Sequence, residues 1–111
     1  MRRLQVAIVL LVPTACGGVL ADGESQFRKG RYAEAKQAFA SHEADYRAFG
    51  ETERAEYSLY RGLTLSALGD YAQARLWLRE AKAIEDAHPG SLSGSDARRL
   101  EAGIDANDVT P

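Results

Sequence analysis

The chain has a single cysteine, only three prolines, and aromatic residues at 8% of its 111 positions. One cysteine excludes a disulfide framework and any multi-cysteine zinc site. Ten glycines and three prolines are too few for a low-complexity chain, and 45% hydrophobic residues argue for a folded core. Charge of one sign is also missing: 14 Lys and Arg face 16 Asp and Glu, for a net charge of −2. No basic surface is therefore expected to hold nucleic acid. At this length the expectation is one small domain, without room for a catalytic unit beside a regulatory one.

The longest apolar run is short. Met1-Arg2-Arg3 precedes Leu4-Gln5-Val6-Ala7-Ile8-Val9-Leu10-Leu11-Val12, and the run stops at Pro13. A membrane span needs roughly 20 apolar residues. Two positive charges before a brief apolar stretch read instead as an export signal. The stretch Val12-Pro13-Thr14-Ala15-Cys16-Gly17-Gly18 resembles a bacterial lipoprotein signal, with Pro13 where an aliphatic residue is usual. That resemblance implies removal of residues 1–15 and lipidation of Cys16, with anchorage to a membrane of the cell envelope. Burial of acyl chains contributes about 0.8 kcal/mol per methylene. The rival site is Val19-Leu20-Ala21, where cleavage would discard residues 1–21 and release a soluble periplasmic or secreted protein. Without residues 1–15 the basic count falls from 14 to 12 against 16 acids, a net charge of −4.

Two segments repeat a pattern, Gly30-Arg31-Tyr32-Ala33-Glu34-Ala35 and Gly69-Asp70-Tyr71-Ala72-Gln73-Ala74, each Gly-x-Tyr-x-x-Ala. Phe39 and Leu78 follow the last alanine at the same distance. The physical reading is a helix ended by a left-handed glycine, a tight turn, and a second helix folding back. Tyr32 and Tyr71 are expected to fill the wedges between paired helices, and Asp70 to cap the second helix of its pair.

Over residues 19–87 this resembles the tetratricopeptide repeat. Gly62, Leu65, Gly69, Tyr71, Ala74, Leu78 and Ala81 match its positions in the second unit, and Gly23, Gly30, Tyr32, Ala35 and Phe39 in the first. Ser58, Arg61 and Asp86 stand where an aromatic, a leucine and a proline are usual, and His42 where a small residue is usual. The mid-repeat glycines are 39 residues apart, against a family period of 34. Extra helical length is therefore expected around Ala48–Thr52. The fold class implied is all-α: two antiparallel helical hairpins in a short solenoid, plus a C-terminal capping helix over 91–106 and a flexible tail over 107–111. Helical periodicity supports this independently, with Tyr32, Ala35, Phe39, Tyr46 and Phe49 on one stripe and Tyr71, Ala74, Leu78, Ala81 and Ile84 on another. Ser93 or Ser95 is placed to cap the last helix, which carries Ala97, Leu100 and Ile104.

Residues suited to chemistry are sparse. His42 and His88 have no metal-pair spacing, and Ser91, Ser93 and Ser95 lack the strand-serine-helix setting of a hydrolase elbow. Glu51, Glu53 and Glu56 suit the positive end of a helix dipole. No catalytic residue, metal or cofactor is expected. The resemblance implies a groove lined by the first helix of each pair. Glu56, Leu59, Leu63 and Ser66 would face a protein or peptide partner there, with Tyr60 and Tyr57 as aromatic anchors. Arrays of this type usually need about three units, so a second copy is the other expected partner.

Overall fold

A computed structural model describes residues 15–108, with side chains from Leu20 onward. The described residues form five α-helices and one 3-10 segment: α1 (Ala15–Arg28), α2 (Tyr32–Ser41), the 3-10 segment (Glu43–Ala48), α3 (Glu51–Ala67), α4 (Tyr71–Ala87) and α5 (Gly94–Asn107). None of these helices is long and apolar enough to cross a membrane. The leader expected over residues 1–15 falls outside the described residues except for Ala15, and the side chain of Cys16 is not among those described.

Two short links set the architecture. Lys29-Gly30-Arg31 joins α1 to α2, and Leu68-Gly69-Asp70 joins α3 to α4. The middle glycine has φ of 77° at Gly30 and 86° at Gly69, a left-handed conformation in which a Cβ would clash. The amide of Arg31 then donates to the Gln26 carbonyl at 2.8 Å, and that of Asp70 to the Leu65 carbonyl at 2.9 Å. This closes both helix ends with the same carbonyl-satisfying motif. Asp70 also caps α4, accepting from the Gln73 amide at 3.3 Å.

Each linked pair packs through a missing side chain. A Cβ built on Gly23 of α1 would lie 2.5 Å from the Phe39 ring of α2, and one on Gly62 of α3 would lie 2.8 Å from Leu78 of α4. The second helix thus rests a large residue against the bare backbone of the first. Phe39 and Leu78 are buried, as are Ala35, Ala74 and Ala81, and Phe39, Leu78, Ala35 and Ala81 join Tyr57, Leu59, Tyr60, Leu92 and Leu100 in one core.

The inserted length takes a form that periodicity alone does not give. Instead of lengthening the joined helices, the chain leaves α2 at Ser41, runs through the 3-10 segment, and re-enters helix at Glu51. A period near three residues stacks i and i+3 side chains on one side, and it aligns Glu43, Tyr46 and Phe49 toward α3. Glu43 Oε1 accepts from Arg61 Nη1 at 2.9 Å. The Tyr46 hydroxyl lies 3.1 Å from Ser58 Oγ and donates to Glu80 at 2.7 Å. The Phe49 ring meets Tyr57 at 5.7 Å. Trp77 completes this cluster edge-on to Tyr46 and Tyr57, with the Arg61 guanidinium 4.6 Å from its ring centre. Such aromatic and cation–π contacts each add about 0.5–1.5 kcal/mol. Gly50 then starts α3, its amide donating to Glu53 Oε1 at 3.0 Å.

The C-terminal helix docks on the second pair. Ser93 supplies its cap, accepting from the Asp96 amide at 3.2 Å. The link before it is held by Glu85, which accepts from the amides of Gly90 and Leu92 at 2.9 Å each. These backbone donors hold the Glu85 carboxyl below its ordinary range. Gly103 lets α5 approach α3 closely, since a Cβ there would lie 2.9 Å from Leu63. Two expectations are corrected here. Asn107 does not begin a frayed tail: it is buried, and its amide donates to Ser66 Oγ at 3.0 Å and to the Gly103 carbonyl at 2.8 Å. Tyr71 does not fill a wedge but is 53% exposed at the first turn of α4, because Leu78 against Gly62 already closes that pair. Residues 109–111 lie outside the described residues.

Candidate functional site

Helix α3 lies between α1 and α5, and one side chain ties the three together. Tyr60 is fully buried, with its hydroxyl donating to Asp96 Oδ1 of α5 at 2.7 Å and accepting from Arg28 Nη2 of α1 at 3.4 Å. Phe27 packs edge-on to its ring at 5.6 Å, and the Arg28 guanidinium sits 5.6 Å from the same ring centre. Around this hydroxyl the three helices present charged side chains in helical register. Glu24 pairs with Arg28 at 3.4 Å one turn apart, and Asp96 pairs with Arg99 at 2.9 Å. Glu56 lies one turn before Tyr60 on α3.

Burial and neighbouring carboxylates raise the pKa of two of these acids, Glu24 and Glu56. Glu24 is pushed up to about 7, first by burial and then by the Glu56 carboxylate, with the Arg28 cation opposing. Glu56 is raised by burial and by Asp96 and Glu53. Tyr60 is pushed up to about 12 by burial and by its bond to the Asp96 carboxylate. The result is a polar face across α1, α3 and α5 with two guanidiniums and three acids, of which Glu24 is raised to about 7.

The sequence-predicted residues are distributed differently from the expectation. Glu56 reaches this face and is partly exposed. Leu59 and Tyr60 are fully buried, so neither offers surface to a partner. Leu63 abuts Gly103 and Ser66 accepts from Asn107, so both are engaged by α5. The reason is that α5 lies along the side of α3 expected to be open. Tyr57 is buried too, under the Arg61 guanidinium and the Trp77 ring. Glu24, Arg28, Asp96 and Arg99 were not singled out from the sequence. The i,i+4 spacing of Glu24 and Arg28 was the available signal; which helix they would oppose was not.

The two histidines and Ser91 have local partners. His42 Nδ1 lies 3.1 Å from Asp45 at the end of α2, and His88 Nε2 lies 2.9 Å from Glu51. Ser91 Oγ donates to the His88 carbonyl at 2.6 Å. Among the described residues, no group of three or more His, Cys, Asp or Glu side chains is placed to hold a metal ion. Comparison with protein-family models, with curated proteins and with solved structures finds no match to this chain.

Proposed function

We propose that this chain is an exported envelope protein, anchored through lipid on Cys16, whose helical domain binds a partner protein without catalysing a reaction. Two helix pairs turned at Gly30 and Gly69, each closed by a large residue on a bare glycine, support a tetratricopeptide-like arrangement with α5 as its cap. In that arrangement α1, α3 and α5 are the first helices of successive units, and their common face is the binding surface. The observation that carries this reading is the set of charged side chains converging on Tyr60 from three helices. A partner carrying basic and amide groups would meet oriented acceptors there, and Arg28 and Arg99 would meet its carboxylates.

The departures from the family pattern fit the same arrangement. Ser58 and Arg61 replace an aromatic residue and a leucine, and both are met by the inserted 3-10 segment, through Tyr46 and Glu43. Cys16 lies at the second position of α1, so a lipid on it places the domain directly at the membrane surface.

Site-specific photocrosslinking in the native host tests the binding face. A photoreactive residue at Glu56 or Arg99 is expected to yield one discrete adduct with a different protein, whereas the same residue at Lys36 or Leu76 is not. Adducts only between copies of this chain would instead favour a self-associating subunit. Equal adducts from all four positions, or none from Glu56 and Arg99, would overturn the binding face.

A further inference from the structure

We propose that the seam between α4 and α5 is a second docking site, which takes an amphipathic helix with an acidic flank from a partner protein. The helices come in pairs, α1 with α2 and α3 with α4, while α5 has no following helix among the described residues. It packs on α3 and α4 as α3 packs on α1 and α2. Among the described residues no helix occupies the place beside α5 that corresponds to α4. Two cavities of about 220 and 280 Å³ run in series along the seam and share Lys82. Their floor is apolar, built from Leu78 and Ile104 in one and Ala97 and Leu100 in the other. The shorter wall, α5, has 14 residues, about 21 Å at the helical rise, enough for four turns of a docked helix.

Charge selects the occupant. Arg75, Arg79 and Lys82 project from α4 at helical spacing along one rim of the first cavity, three cations against the single acid of its lining, Asp108. Among the described residues neither arginine has a carboxylate within ion-pair distance. Arg75 donates only to the Asn107 carbonyl at 3.3 Å, and Lys82 is shared with Asp86 at 3.3 Å. An apolar stripe for the floor and carboxylates one turn apart for the two arginines are the complementary pattern. An anionic membrane surface fits less well, because the apolar floor is recessed between two helices. Glu85, Asp86 and Glu101 border its other half beside Arg98, which confines the acidic flank of the occupant to the half that holds Arg75 and Arg79. The seam uses Ala97 and Ile104 of α5, whereas the face around Tyr60 uses Asp96 and Arg99, so the two sites can fail independently.

The test uses the full chain and a synthetic 18-residue helix with a leucine stripe flanked by glutamates, beside a version with lysines for the glutamates. Binding is followed by amide chemical shifts. The glutamate helix is expected to bind saturably, with shifts centred on Leu78, Ala97 and Ile104. The double variant Arg75→Glu/Arg79→Glu should weaken it at least tenfold while gaining the lysine helix, a gain that loss of the Arg75 bond to the Asn107 carbonyl would not by itself produce. Equal binding of both helices, binding of neither, or shifts centred on Glu56 and Asp96 would overturn the proposal. So would self-association abolished by the double variant, which assigns the seam to a second copy, or capture by phosphatidylglycerol vesicles that depends on the same arginines.

Discussion

Raising the pH should destabilise this domain through Glu24, in the opposite direction from a carboxylate held by a salt bridge. The Glu24 carboxyl is moved from 4.5 to about 7, first by burial and then by the Glu56 carboxylate. The folded chain therefore keeps a proton that the unfolded chain releases between those values. Stability falls as pH rises through that window and is level above it. The full displacement corresponds to at most about 3.4 kcal/mol. Glu24 keeps 15% of its side-chain surface exposed and its partner Arg28 keeps 58%, so solvent screening reduces the effect to about 1–2 kcal/mol. Glu56, raised by burial and by Asp96, adds in the same direction. The assay is urea unfolding at pH 5 and pH 8, read by the fluorescence of the single tryptophan, Trp77, which packs against Tyr46 and Tyr57. The Glu24→Gln variant fixes the neutral form. It should match the wild type at pH 5 and exceed it by about 1–2 kcal/mol at pH 8. Equal pH dependence in the two proteins would refute the burial of the Glu24 carboxyl beside Glu56.

Two further perturbations probe the packing. Gly62→Val places a branched Cβ where even a plain one would lie 2.8 Å from Leu78 and 3.2 Å from the Leu78 amide nitrogen. Overpacking of this kind costs about 1–3 kcal/mol, and an unchanged urea midpoint would show that α3 and α4 do not meet there. Asn107→Ala removes the donor shared by Ser66 and the Gly103 carbonyl. It should cost about 1–2 kcal/mol and speed hydrogen exchange in α5 before α3, whereas uniform acceleration would show that α5 has no separate opening.

The parts of this fold legible in the sequence are those determined within a few residues. Gly30 and Gly69 end their helices because left-handed backbone is a local requirement, and Asp70 and Ser93 cap because their oxygens reach amides three residues on. The contacts of Phe39 on Gly23 and Leu78 on Gly62 follow from a repeated spacing once each turn is fixed. What the sequence obscured depends on register between helices distant in the chain. Tyr46 and Phe49 continue the α2 periodicity, yet a 3-10 segment turns them toward Tyr57 and Trp77 because ring packing outweighs local helical preference. Tyr60 reads as a surface aromatic because the acceptor of its hydroxyl hydrogen bond, Asp96, lies 36 residues later in the chain. The charged face was hidden for the same reason, since its acids come from three helices.

Lipid on Cys16 would hold this domain at a membrane surface, and the intact mass of the protein from membrane and soluble envelope fractions tests that proposal most directly. The expected species begins at Cys16, carries added acyl mass, and is found in the membrane fraction. A lipid-free soluble species beginning at Asp22 would contradict it and leave a diffusible helical domain with a shortened α1.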